Sequence, residues 1–295
     1  MLTGCLVVLL LGVGTLFVRA AGIAVYEPKL TESSGLAASH RNPGVLWSHN
    51  DSGPGAELYA FTDDGQPVAT LVLPGVEIAD WEDVAVGPDA AGQPFAALYL
   101  GDIGDNGGDR DHVSVFRLPE PELGGVVPGQ PVPIEATGVE RFDLVYDDGP
   151  RDAETLMVDP RDGAVYVVAK TTDEGAGLYR AELTTASGDG PLTLEHVGDV
   201  AIPGLIGLTR LATGGAISPT SDRVVLRTYV AAWWWPVGPG QPIADAMRAE
   251  PVRIALPVMQ QGEAITFSAD GETLYVSSEG SPALLGSVPA PRIND

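Results

Sequence analysis

One spacing constrains this chain more than any other. An oxygen-bearing side chain stands six residues ahead of a turn five times over: Ser34 before His40, Glu82 before Pro88, Glu154 before Pro160, Thr213 before Pro219 and Glu263 before Ala269. Each opens the same grammar of a short β-rich run, a turn, a second run ending in polar residues, and two further runs. The second unit reads EDVAVGP, AALYLGDIGDN, HVSVFRL and VERFDLVY, and the third ETLMVDP, AVYVVAKT, GLYRAEL and EHVGDVAIP. Runs of this length between Gly, Pro, Asp and Asn turns read as strands, and a recurring unit reads as a repeat architecture. The fifth unit has only three runs, and a spare one, GIAVYEP, lies at residues 22–28. The expectation is an all-β, five-bladed β-propeller, its last blade closed by the N-terminal strand, in a single domain over residues 21–295. A two-sheet sandwich is the alternative. The uneven spacing of the units excludes a WD40-type array.

In a propeller the first strand of each blade lines the axis, so Ser34, Glu82, Glu154, Thr213 and Glu263 are expected as a ring at one mouth of the channel. Like charges that close resist joint ionisation. A hard cation taking six to eight oxygen ligands relieves them, and a wide oxygen ring suits Ca²⁺ better than Mg²⁺. A water-filled acidic channel with raised pKa values is the alternative. No Cys/His set with tetrahedral spacing is present, which disfavours zinc. In ADWEDVAVGP (residues 79–88), Glu82 is the ring residue, Asp80 belongs to the approach loop, and Asp83, one step on, is expected to point away from the channel and to accept backbone or inter-blade hydrogen bonds.

The ends of the second strands fall on the same face. They supply His49, Asn50 and Asp51; Asp102, Asp105 and Asn106; Lys170; Arg227 and Tyr229; Ser278 and Glu279, while the approach loops add Asp80, Arg151, Asp152 and Gln261. Turn duty alone accounts for many of these, above all in GDIGDNGGD. It accounts less well for Lys170, one of two lysines in the chain, and for Arg227, each at the end of an apolar strand. In WWWPV, alternation puts Trp233 and Trp235 on one side and Trp234 on the other, and packing between blades is the expected use. Lys and Arg total 16 against 40 Asp and Glu, a net charge of −24. That excludes nucleic acid as a partner, because phosphate backbones require positive charge. Residues 6–18, LVVLLLGVGTLFV, are apolar and too short to span a bilayer comfortably, so residues 1–20 are expected to be a signal peptide or N-terminal membrane anchor. The body is therefore expected outside the cell or on its surface, as a monomer touching membrane only through that segment.

The order Ser34, Glu82, Glu154, Thr213, Glu263 resembles that of the calcium-dependent nucleotidases (apyrases), five-bladed propellers holding one Ca²⁺ in the channel through a Ser or Glu from each blade, with Thr213 here in place of a Ser. The DWED, GDIGDN, DAE and GEAI signatures resemble uncharacterised secreted bacterial propellers more closely still. The first resemblance implies Ca²⁺ as cofactor and hydrolysis of a phosphoester or phosphoanhydride. In that expectation Lys170 and Arg227 bind a small phosphorylated ligand, while Asp51, Asp102, Asp105 or His49 orients the attacking water. Two alternatives stand beside it: a glycoside hydrolase using channel carboxylates, and a non-catalytic platform stiffened by a structural ion.

Overall fold

β-branched and aromatic residues alternating with small ones build strands almost throughout. A computed structural model describes residues 22–53, 55–183, 190–204 and 207–293. The apolar run at 6–18, and with it the expected signal peptide or anchor over residues 1–20, lies outside the described residues. No helix among the described residues is long and apolar enough to cross a membrane.

After the two-residue β1 (Ile23–Ala24), the strands fall into antiparallel meanders. The first comprises β2 (Ser33–Ala38), β3 (Val45–Asn50), β4 (Glu57–Thr62) and β5 (Pro67–Val72). The second comprises β6 (Trp81–Gly87), β7 (Ala97–Asp102) and β8 (Val113–Pro119), then, after β9 (Val132–Glu135), β10 (Glu140–Tyr146). The third comprises β11 (Ala153–Val158), β12 (Val165–Ala169), β13 (Gly175–Ala181) and β14 (Leu192–Ala201). The fourth comprises β15 (Ala212–Ile217), β16 (Arg223–Thr228), β17 (Ala232–Pro236) and β18 (Val252–Ile254). The fifth comprises β19 (Gly262–Phe267), β20 (Thr273–Ser278) and β21 (Leu284–Pro289), and β1 pairs with β21 as Ile23↔Leu285 and Ala24↔Leu284.

Hydrogen bonding joins these meanders into four sheets where the repeat predicts five. Two parallel contacts form at outer edges, and the first of them accounts for the missing sheet. β10 pairs with β14, fusing the second and third meanders into one eight-stranded sheet, and β9 leaves its own meander to pair with β5. Both contacts cover strand edges that would otherwise stay open.

The first strands β2, β6, β11, β15 and β19 contact one another in that cyclic order, with β19 returning to β2. Five apolar clusters fill the spaces between successive meanders. This is a propeller-type arrangement, and its core is a set of wedges rather than one centre. Trp233 and Trp235 pack into the wedge on one side of their strand and Trp234 into the wedge on the other, as alternation requires. At the end of the axis remote from the acidic residues the first strands run into an apolar recess bordered by Met157 and Phe267, where His40 stacks on Phe95 at 3.8 Å.

Around the axis the strands approach closely enough to dictate residue size. A Cβ on Gly35 would lie 2.5 Å from the backbone nitrogen of Val84, and one on Gly214 would lie 2.9 Å from the carbonyl oxygen of Glu263. At the equivalent place in β6 stands Asp83, and here the expected orientation is wrong. Each first strand carries a register irregularity at its ring residue; in β6 it falls between Trp81 and Asp83. A bulge interrupts strict alternation and re-aims side chains, so Asp83 turns toward the axis as well. Its carboxylate accepts the N–H of Val84 at 2.8 Å and of Leu156 at 3.0 Å, together with those of Leu36 and Gly215. The inter-blade bonding is as expected. Burial pushes the Asp83 pKa well up, and the four donors pull against it. Replacing Asp83 with Ala leaves buried N–H groups of four first strands without their acceptor. Asp83→Ala is expected to lose about 2–4 kcal/mol in urea denaturation; an unchanged midpoint would show that these donors find other partners.

Candidate functional site

The bulges bring the ring residues to the acidic mouth. The two hydroxyls are used as stitches: Ser34 Oγ donates to the carbonyl of Glu82 at 2.6 Å, and Thr213 Oγ1 to the carbonyl of Glu263 at 2.8 Å. A hydroxyl that donates keeps its lone pairs, so both oxygens remain able to act as ligands. Glu82, Glu154 and Glu263 are buried. Lys170 forms an ion pair with Glu154 Oε1, while Glu154 Oε2 is buried with no hydrogen-bond partner.

The electrostatics follow from carboxylates that outnumber the cations near them, chief among which is Lys170. Burial, then the charges of Glu154 and Asp80, push Glu82 up to about 10, against the pull of Lys170. Burial, then Glu154 and Glu279, push Glu263 up to about 8. Glu154 reaches only about 6, because its hydrogen bond to Lys170 offsets its burial. At the rim, burial and then a hydrogen bond shared with Glu32 push Asp51 up to about 7. Gly104 closes one side: a Cβ there would lie 2.4 Å from both Asp80 Oδ2 and Glu82 Oε1. Gln261 takes a left-handed backbone with φ 44° and donates to Glu279 at 2.8 Å. Such strain in a non-glycine residue collects at functional sites.

Cross-strand register decides which of the expected residues reach the mouth. Asn50, Asp102, Ala169, Thr228 and Ser278 pair opposite the residue just ahead of each ring position. The residues after them are Asp51, Ile103, Lys170, Tyr229 and Glu279, and all but the core residue Ile103 meet at the mouth. The residues before them include His49 and Arg227, which stay inside their sheets. His49 is fully buried, edge-on to Trp81 at 5.5 Å between centroids, and burial pushes its pKa down to about 4. Arg227 is 2% exposed and donates to the carbonyl of Ala264 at 3.0 Å.

Asp102 and Asp105 are tied up in loops. Asp102 accepts the N–H of Asp80 at 2.8 Å and pairs with Arg110 at 3.1 Å, and Asp105 accepts the N–H groups of Asp109 and Arg110, both at 3.0 Å. Asn50 clamps its own approach loop in the same way, accepting from Thr31 at 3.0 Å and Glu32 at 2.9 Å. Of the residues expected to act on water, then, Asp51 alone stands at the mouth with an unpartnered oxygen, Oδ1. Glu32 is an addition. It occupies the register of Asp80, Asp152 and Gln261, two residues ahead of the ring position, and could have been found from the repeat.

No family model matches the chain, and no curated protein matches it. Among solved structures it is similar to the PQQ-bound aldose sugar dehydrogenase of Streptomyces coelicolor, at 14% identity and a TM-score of 0.48, over 97% of this chain and 98% of that one. It is also similar to a gluconolactonase of Xanthomonas campestris, at 16% identity and a TM-score of 0.47, over 95% and 91%. A chain of a nidogen/laminin complex gives 14% identity and a TM-score of 0.45, over 84% and 73%. Likeness at these values transfers no activity. None of the three is a nucleotidase, so the resemblance drawn from the inner-strand residues gains no support from them.

The ring offers oxygen alone, and the orphaned Glu154 Oε2 is the kind of atom a hard cation satisfies. Among the described residues, however, no three His, Cys, Asp or Glu side chains stand close enough to hold a metal. Proton uptake at the ring sets the pH response. Glu82 and Glu263, ordinarily near 4.5, keep their protons in the folded protein up to about 10 and about 8. Folding therefore binds protons in that window, and the stability present below it drains away as pH rises. Above about pH 7 the ordinary histidine range is passed, so the opposing contribution of buried His49 is complete. The melting temperature is expected to fall between about pH 7 and 9, and Glu82→Gln to flatten that fall; a wild-type profile that rises over this range would refute the assignment.

Proposed function

We propose that the closed ring is a five-bladed β-propeller, the eight-stranded sheet being two blades joined at their outer strands, and that its acidic mouth binds a hard divalent cation, Ca²⁺ before Mg²⁺. The observation that carries this reading is Glu154 Oε2, buried and without a hydrogen-bond partner in a ring of three glutamates of which only Glu154 forms an ion pair among the described residues. Glu82, Glu154 and Glu263 would hold the ion, with Ser34 and Thr213 adding hydroxyl oxygen. Bound there, it would supply Lewis acidity toward a phosphate oxygen.

The chain's own groups then divide the work on a small phosphoester or phosphoanhydride. Lys170 neutralises the oxyanion. Asp51, with its pKa near 7, takes a proton from water at neutral pH. In this reading the protein is exported and acts as a monomer. A second reading, a non-catalytic binding platform, is favoured by the structural bonds that occupy Asp102, Asp105 and Arg227. The glycoside hydrolase alternative keeps its channel carboxylates, but Trp81, the aromatic beside Glu82 in sequence, is 1% exposed and offers no face for a sugar to stack on.

Melting in Ca²⁺ against EDTA tests the site. At a hundredfold excess of Ca²⁺ over Kd the melting temperature is expected to rise by about 5 °C or more, and Glu154→Ala to abolish the rise. No shift in the wild type would overturn the cation site. Turnover of nucleoside diphosphates, nitrophenyl phosphate or phytate that needs Ca²⁺ and falls about a hundredfold in Asp51→Asn supports the hydrolase. A Ca²⁺ shift with no turnover on any of them leaves the platform.

A further inference from the structure

The repeat departs from its own pattern at two places, and the two meet. At the turn position six residues after each ring residue, four units carry Pro88, Pro160, Pro219 and Ala269, and the first carries His40. The turns between first and second strands cover residues 39–44, 159–164, 218–222 and 268–272, five or six residues each, whereas that of the second unit covers 88–96 and is nine residues long. The longer turn brings Phe95 across to the neighbouring meander, where its ring lies on His40 at 3.8 Å with the planes 4° apart. Phe95 holds a left-handed backbone, φ 52°. For a bulky residue that conformation is an outlier, and it persists only where the surroundings impose it.

Both rings border the apolar recess at the end of the axis. The recess exists because the strands run out of bulk there. Three residues after the ring positions stand Ala37, Ala85, Met157, Ala216 and Thr266, and only one of the five is large. About 440 Å³ of space results, part of it open to solvent. That is at the low end for small-molecule pockets, roughly 300–1,000 Å³. No Asp, Glu, Lys or Arg lines it, although the chain carries a net charge of −24. Its polar atoms are few. Burial pushes the His40 pKa down, so the imidazole is neutral at pH 7, and among the described residues neither ring nitrogen is hydrogen-bonded. The Thr266 hydroxyl has one long contact, to the carbonyl of Phe267 at 3.4 Å.

We propose that this recess is a binding site for a small neutral aromatic molecule with a single hydrogen-bonding group, of the size of phenol or indole, seated against the His40–Phe95 pair with its polar group on His40 or Thr266. The site lies at the opposite end of the axis from the acidic mouth and does not depend on the cation reading. A charged ligand would lose its hydration with no counter-charge to replace it. An aliphatic one would fill the space and leave the ring surfaces and the Met157 thioether without the partner they favour.

The methionines provide the readout, since of Met157, Met247 and Met259 only Met157 lines the recess. Indole, phenol, cyclohexanol and benzoate are titrated into the full chain carrying ¹³C-methyl methionine, with Met157→Leu assigning the resonance. Indole and phenol are expected to shift the Met157 methyl saturably, with Kd at or below about 1 mM, and to leave Met247 and Met259 in place. Cyclohexanol is expected to bind about fivefold more weakly than phenol, and benzoate not to bind. Phe95→Gly, which suits the left-handed backbone and removes the ring, is expected to keep the melting temperature within about 4 °C and to weaken indole about tenfold. An unmoved Met157 methyl, equal shifts at all three methionines, cyclohexanol or benzoate binding as tightly as phenol, or indole binding that survives Phe95→Gly overturns the site. Should Phe95→Gly fail to fold, His40→Ala carries the same test, with the same loss of indole binding expected.

Discussion

The arrangement turns on a single carboxylate. Asp83 sits where the first strands come closest and takes backbone N–H groups from β2, β6, β11 and β15. Sheets arranged about an axis present unpaired inner edges to one another, and unpaired buried N–H groups are costly. An acceptor-only side chain with two oxygens satisfies several at once. The strands can then approach until glycine is required at Gly35 and Gly214. The same carboxylate separates the two ends of the axis, with carboxylates on one side and the apolar recess beside Met157 and Phe267 on the other.

Much of this was legible in the sequence because it depended on local spacing. The interval of six from ring residue to turn located all five bulges, although a bulge itself cannot be read from one strand. It also separated Glu82 from its acidic neighbours. What escaped notice depended on register across strands. Unbroken alternation would face Asp83 away from the axis, and the bulge at Glu82 breaks it. Arg227 and Lys170 looked alike as basic ends of apolar strands. Yet Arg227 lies inside β16, one residue before its last, and Lys170 lies just past the end of β12, so one is buried and the other reaches the mouth. Asp102 and Asp105 looked like catalytic acids in a polar loop and proved to hold that loop together. The parallel contacts of β10 with β14 and of β9 with β5 left no trace in the sequence, since they join segments that the repeat treats as separate.

The mouth itself illustrates how acidity can be concentrated without rupture. Three ring glutamates and the rim acids around them are tolerated through two devices at once: protons retained on Glu82 and Glu263, and one ammonium on Glu154. Each device is reversible. That distinguishes the mouth from the Asp83 cluster, where the partners are backbone and do not leave.

The pairing of β1 with β21 has a consequence for the order of assembly. Each meander before the last can form from contiguous chain as it leaves the ribosome, and its wedge fills once the next meander follows. The short strand at residues 23–24 waits for the fifth meander, because its one ladder among the described residues is to Leu284 and Leu285. Ring closure is therefore the final event and depends on contacts of the greatest sequence separation in the molecule, the kind that form slowly. Until then the wedge of Val25, Leu30 and Leu285 stays open, and the nascent protein is an unclosed spiral whose two free edges are those most exposed to pairing with other chains.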